Sequence, residues 1–171
     1  MLRVRIVAAA AVAVALAIGM VPVAAQVKCE LVGTPGRDRL IGTQGSDVIC
    51  GQGGPDFIKG KGGRDVLLGE GGRDTLIAGP GNDRAQGGPG ADIVDGNGGD
   101  DLLFGQGGRD FLRGFAGRDK LRGGDRGDCL YTVDSVEGND QAFGDAGQDV
   151  YDVDPDDLVQ TAEQAGSCAG D

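Results

Sequence analysis

The sequence predicts an all-β fold, a parallel solenoid in which 18 residues make one coil and two parallel sheets face each other across a thin core. Three observations predict it. Residues 33–130 repeat with a period of nine, and Asp38, Asp47, Asp56, Asp65, Asp74, Asp83, Asp92, Asp101, Asp110, Asp119 and Asp128 all keep step. After each Asp come three residues whose middle member is apolar: Leu40, Ile49, Ile58, Leu67, Leu76, Ala85, Val94, Leu103, Leu112, Leu121 and Leu130. Alternation over three residues is a short strand with one side chain turned inward. Glycine, at 35 of 171 residues, is too dense for helix, where each costs about 1 kcal/mol.

In chain order, residues 1–25 come first. Arg3 and Arg5 precede an uncharged run from Ile6 to Val21, then Pro22 and the small residues Val23 and Ala25. This predicts a signal peptide over 1–25 with cleavage before Gln26, and hence a secreted, extracellular protein. An uncleaved anchor is the competing reading, but the run is rich in Ala rather than Leu. Residues 26–37 are an N-terminal cap, 38–131 the repeat array, and 132–171 degenerate repeats, a C-terminal cap and an acidic tail. In an oxidising compartment the four cysteines allow three pairings. Cys29 with Cys50 and Cys129 with Cys168 are preferred, since each pair closes a local loop at one end of the array; the other pairings stay open.

Glycine opens every repeat except at Ala78, and another stands two before each Asp except at Arg126. Such regularity predicts positive φ at both places. Two inward aliphatics per coil cannot offset the entropy of ordering 18 residues, and the turns stack carboxylate above carboxylate. A counterion is therefore needed. Aspartates 18 apart lie on neighbouring coils, about 4.8 Å from strand to strand. Calcium holds oxygen ligands at about 2.3 to 2.6 Å and accepts flexible, carbonyl-rich sites, so it suits the spacing better than magnesium. One stack runs Asp38, Asp56, Asp74, Asp92, Asp110, Asp128; the other runs Asp47, Asp65, Asp83, Asp101, Asp119. Their gaps make room for several Ca2+ ions, about nine.

The residues carry a family resemblance. GGPGADIVD at 87–95 matches the GGxGxDxUx nonapeptide of RTX (repeats-in-toxin) proteins, and AGPGNDRAQ at 78–86 is a near match. The resemblance implies a parallel β-roll in which each repeat's Asp and the preceding turn carbonyls hold calcium. Several copies depart from it by reading GxGGxD, as at 51–56 and 105–110, which backbone ligands tolerate. Arg37, Arg64, Arg73, Arg109 and Arg118 stand directly before the Asp and are expected to point to solvent. The last copy, GGDRGDCLY, breaks the glycine pattern and makes Asp128 the weakest ligand. With a conventional leader, the chain looks like the small secreted members that consist of little beyond the repeats.

After Leu130 the phase breaks by three residues, and Asp140 and Asp149, nine apart, mark two degenerate repeats that also belong to the expected metal set. A bulge and a closing coil are expected there, because terminal repeats must cover an open apolar end. Residues 152–163 place acids at the first, third, fifth and twelfth positions of an EF-hand loop, but Asp157 stands where that loop needs glycine. A capping strand is preferred. Outward apolar residues, Val48, Val66, Leu68, Leu102 and Phe104 on one sheet and Phe57, Ile93 and Phe111 on the other, fit association patches or a broadened core equally well.

The charge and composition exclude much. Losing Arg3 and Arg5 takes the net charge from -11 to -13, which repels nucleic acid and anionic membrane and attracts cations. No histidine is present, so His-based acid-base chemistry and the Ser-His-Asp triad are absent. The reading is a non-catalytic, extracellular calcium-binding protein that folds as calcium binds, with no catalytic or cofactor residues and no nucleic-acid or membrane partner after signal cleavage. The alternatives are an adhesin or matrix component with a cell-surface or matrix partner, or an accessory module acting on polysaccharide.

Overall fold

A computed structural model describes residues 28–133, 140–153 and 157–160. The expected signal peptide, the expected partner cysteine Cys168 and most of the acidic tail lie outside them.

The three-residue alternation yields short strands that recur every nine residues. They are β1 (Leu31–Val32), β2 (Arg39–Ile41), β3 (Val48–Cys50), β4 (Phe57–Lys59), β5 (Val66–Leu68), β6 (Thr75–Pro80), β7 (Arg84–Pro89) and β8 (Ile93–Gly98). Then follow β9 (Leu102–Gly107), β10 (Phe111–Ala116), β11 (Lys120–Asp125), β12 (Cys129–Tyr131), β13 (Gln141–Ala146), β14 (Val150–Asp152) and β15 (Leu158–Gln160). Odd strands form an eight-stranded sheet and even strands a seven-stranded one, each in sequence order. Every pairing is parallel with an 18-residue offset through the array, as in Ile49↔Leu67 and Leu112↔Leu130. The predicted solenoid is the observed fold.

The strands β6 to β11 are six residues long, twice the expected length. Pairing continues into the following turn, where Gly79 aligns with Asn97 and Pro80 with Gly98. Turns of equal length stack on one another, so their backbone joins the ladder as well.

All the predicted inward residues are buried, from Ile49 to Leu130 at 0% exposure, with Leu40 at 8% on the open end. Leu31 closes the column at the start; Tyr151, Val153 and Val159 close it at the other end. Because the column is one side chain wide in each sheet, a truncation cannot be filled by sliding neighbours. Leu103→Ala is expected to cost about 3 kcal/mol, read as a lower thermal midpoint in calcium.

The phase break leaves the register intact. Leu121 pairs with Ala142 and Leu130 with Tyr151, an offset of 21 that absorbs the three extra residues. The place where the bulge was expected, 134–139, lies outside the described residues. β14 ends on Asp152, the first residue of the EF-hand-like stretch, and β15 (Leu158–Gln160) lies within it, where an EF-hand would have a continuous loop leading to a helix; 154–156 and 161–163 are not described.

Cys29 and Cys50 are joined in a disulfide with 5.9 Å between Cα atoms, the preferred pairing. Cys129 is disulfide-bonded too. On the outer faces, Leu68 is buried while Leu102 stays exposed at 37%. Arginines cover several rings: from a neighbouring strand, Arg39 over Phe57 at 4.8 Å and Arg84 over Phe104 at 4.6 Å, and within β10, Arg113 over Phe111 and Phe115 at 5.2 Å each. Arg113 also grips Asp95 through two hydrogen bonds of 2.6 Å, one coil back.

Candidate metal centre

Each turn presents its Asp at the point where the chain enters a strand, so coil stacking lines the aspartates up along both edges of the roll. The carboxylates are not face to face. From the second coil on, one oxygen, Oδ1, accepts the backbone N–H of the Asp one coil earlier, from Asp38 donating to Asp56 at 2.8 Å through Asp110 donating to Asp128 at 2.9 Å. The other edge does the same, with Asp47 N–H to Asp65 at 2.8 Å and Asp101 N–H to Asp119 at 2.8 Å.

That leaves Oδ2. In Asp56, Asp65, Asp74, Asp83, Asp92, Asp101, Asp110 and Asp128 this oxygen is buried without a hydrogen-bond donor. A buried carboxylate oxygen with no partner is costly, and a repeated array of them asks for a cation. The turn supplies further oxygen. A Cβ on Gly51 would sit 2.6 Å from Asp56 Oδ2 and 2.7 Å from the Gly69 carbonyl oxygen of the next coil. At Gly42 the corresponding distances to Asp47 Oδ2 and the Gly60 oxygen are both 2.6 Å. Carboxylate and carbonyl oxygens converge in the same way over Gly60, Gly69, Gly96, Gly105 and Gly123. Among the described residues no three acidic or thiol side chains gather at one point, so carbonyls must complete any ligand set. Hard oxygen donors of this kind fit calcium.

The glycine expectation needs correction at this point. The opening glycines, such as Gly51 and Gly105, are not in the positive-φ region; glycine is required there because a side chain would fill the oxygen-lined space. Positive φ falls instead on the second residue of the turn, including Gln52 (φ 79), Lys61 (φ 94), Asn97 (φ 78) and Phe115 (φ 69). Of the places two before the Asp, Gly54, Gly63, Gly72, Gly81, Gly99, Gly108 and Gly117 do have positive φ, and Arg126 takes it too at 87°.

Burial governs the electrostatics. Desolvation pushes Asp101 up to about 8, Asp92 and Asp128 to about 7, and Asp56 and Asp83 to about 6. The backbone N–H from the previous coil opposes this, and negative neighbours in the stack add to it. Asp65, Asp74 and Asp110 are raised with desolvation as the first cause. The arginines before the Asp, Arg37, Arg64, Arg73, Arg109 and Arg118, are all exposed as expected, and Arg118 reaches Asp100 at 3.0 Å.

The ends differ. Asp38 and Asp47 are only half-buried, and their Oδ2 atoms accept hydrogen bonds from Thr34 and Thr43. Asp140 and Asp149 are buried and continue the stacks, taking the N–H of Asp119 and Asp128 at 2.8 Å each. Asp128 keeps full burial and the same bonding despite its irregular turn. Sequence reasoning missed Asp157, which accepts the Asp140 N–H at 3.2 Å and the Thr132 hydroxyl at 2.8 Å. Its spacing of 17 from Asp140, one short of a coil, hid it.

Two edges of stacked turns, each offering a buried carboxylate oxygen beside backbone carbonyls, define a cation-binding parallel β-solenoid. The RTX calcium-binding nonapeptide repeat model matches residues 30–58, 51–85, 68–103, 77–112, 95–128 and 133–157, and the chain belongs to that family. It is a calcium-binding β-roll protein in which the repeats play a structural role. Comparison with curated proteins gives no match.

Proposed function

We propose that this chain is an extracellular, non-catalytic protein whose folding is driven by several calcium ions held along both edges of the roll. The observation that carries the reading is the row of buried, donorless Oδ2 oxygens from Asp56 to Asp110 and in Asp128. These aspartates hold the ions with the carbonyls of neighbouring turns, and Asp119, Asp140 and Asp149 extend the same geometry. A bound ion neutralises the stack and ties one coil to the next, so binding energy becomes folding energy. The residues themselves contribute orientation: the coil-to-coil N–H bond to Oδ1 fixes each carboxylate, and the opening glycine leaves room beside it. Secretion into a calcium-rich medium is supported by the leader-like residues 1–25 and by the disulfides.

Circular dichroism of the chain with chelator and with millimolar calcium tests this. Sheet signal is expected to appear on adding calcium; an equal signal in both conditions overturns the reading.

A further inference from the structure

The first two repeats solve the carboxylate problem without an ion. They read GTPGRD and GTQGSD, with Thr34 and Thr43 at the second place of the turn. Later turns put glycine or a residue unbranched at Cβ there, in the left-handed region: Gln52, Lys61, Glu70, Gly79, Gly88, Asn97, Gln106, Phe115 and Gly124. Thr34 and Thr43 are not in that region, which a β-branched residue enters only at high cost. Their turns close inward instead. Thr34 donates its N–H at 2.5 Å and its hydroxyl at 2.8 Å to Asp38 Oδ2; Thr43 does the same to Asp47 Oδ2 at 2.6 and 3.0 Å. The same hydroxyls accept the N–H of Gly36 at 3.2 Å and of Gly45 at 3.1 Å.

The consequence for ions is direct. Two donor hydrogens already point at the oxygen that, from Asp56 to Asp110 and in Asp128, has none, and a cation cannot share that oxygen's approach with them. The same coil carries the disulfide, Cys29 to Cys50, which fastens β1 to the end of β3. The Asp38 and Asp47 N–H groups reach forward to Oδ1 of Asp56 and Asp65, so this coil orients the first carboxylates whose Oδ2 lacks a donor.

We propose that residues 33–50, the first coil, form an ion-independent cap held by Thr34, Thr43 and the Cys29–Cys50 disulfide, and that this cap is the template on which the calcium-dependent coils assemble. The proposal rests on the calcium reading above and adds where the ion-dependent part begins, at Asp56 and Asp65.

Hydrogen exchange read by mass spectrometry, in calcium-depleted buffer and in calcium, separates the two. Without calcium, amides of 31–33 and 48–50, where β1 pairs with β3 beside the disulfide, are expected to stay protected while those of 66–131 exchange freely; with calcium both are protected. Thr34→Gly/Thr43→Gly turns both repeats into regular GGxGxD copies. This variant is expected to lose the first-coil protection in depleted buffer by ~10-fold or more, to regain it in calcium, and to bind about two more ions per chain by calorimetry. Thr34→Ser/Thr43→Ser keeps the hydroxyls and is expected to keep the protection. Fast exchange of 31–33 and 48–50 in the wild-type chain without calcium, or an unchanged ion count in the glycine variant, overturns the cap while leaving the calcium reading intact. Exchange that calcium alters nowhere overturns the calcium reading itself.

Discussion

In calcium-depleted buffer at pH 8 the chain is expected to lose most of its sheet signal, and to recover part of it as the pH is lowered to 5. The buried aspartates set the direction. In the folded, metal-free roll burial holds the Asp101 carboxyl at about 8, Asp92 and Asp128 at about 7, and Asp56 and Asp83 at about 6, against an ordinary value of 3.8. Each of these groups binds its proton more tightly folded than unfolded. Their contribution to stability is therefore fully present below the unfolded value near 4 and is lost as pH rises through 6 to 8. Protonation removes the like-charge repulsion along each stack and the desolvation cost of the charged form.

Calcium acts on the same groups in the opposite sense. An ion entering the turns displaces those protons, so its affinity is expected to fall as pH drops from 8 to 6. With millimolar calcium the roll is thus expected to persist at pH 8, where the depleted chain does not. Circular dichroism at a series of pH values, with and without calcium, reads both arms. Sheet content in depleted buffer that stays level or rises from pH 5 to 8 contradicts the account of the stacks.

The second large effect belongs to a pair of adjacent glycines. A Cβ on Gly108 falls inside the carbonyl group of Gly90, one coil below, and its φ of 142° lies where L side chains are strained. Gly90 cannot retreat, because its N–H is bonded to the Gly107 oxygen at 2.7 Å. Gly108→Ala is expected to cost about 4 kcal/mol or more and to lower the thermal midpoint in calcium by ~10 °C or more. A Cβ on Gly107 meets nothing within 4 Å, so Gly107→Ala is expected to stay within about 1 kcal/mol of the wild type. Similar losses for the two variants would show that turn stacking does not set the glycine requirement. Differential scanning calorimetry on both proteins decides it.

Much of this molecule is legible in its residues because a repeat copies one local solution many times. The inward positions from Leu40 to Leu130 and the aspartates in phase with them follow from the period alone, and the structure buries the column they predict. What stayed hidden is whatever depends on the coil above or below, or on how an individual turn closes. Glycines at 51 and 108 look alike in sequence, yet one makes room for a carboxylate and a carbonyl, while the other avoids a backbone and carries positive φ. Thr34 and Thr43 look like ordinary turn residues until their hydroxyls are found on Asp38 and Asp47. Asp157 has the right chemistry at a spacing one residue short.

By itself the sequence determined the fold class, the 18-residue coil, the inward column and the two aspartate rows, because a strict nine-residue period leaves one way to bury the apolar residues and stack the acids. Only the tertiary structure decided how each carboxylate is used. Oδ1 is taken by a backbone N–H from the neighbouring coil, and Oδ2 is left to a threonine in the first coil and to no donor from Asp56 to Asp110 and in Asp128. The Oδ1 bond is made by atoms about 18 residues away along the chain and one strand spacing away in space, a distance no single repeat can record, while the threonine on Oδ2 stands four residues before its Asp and depends on how the turn closes.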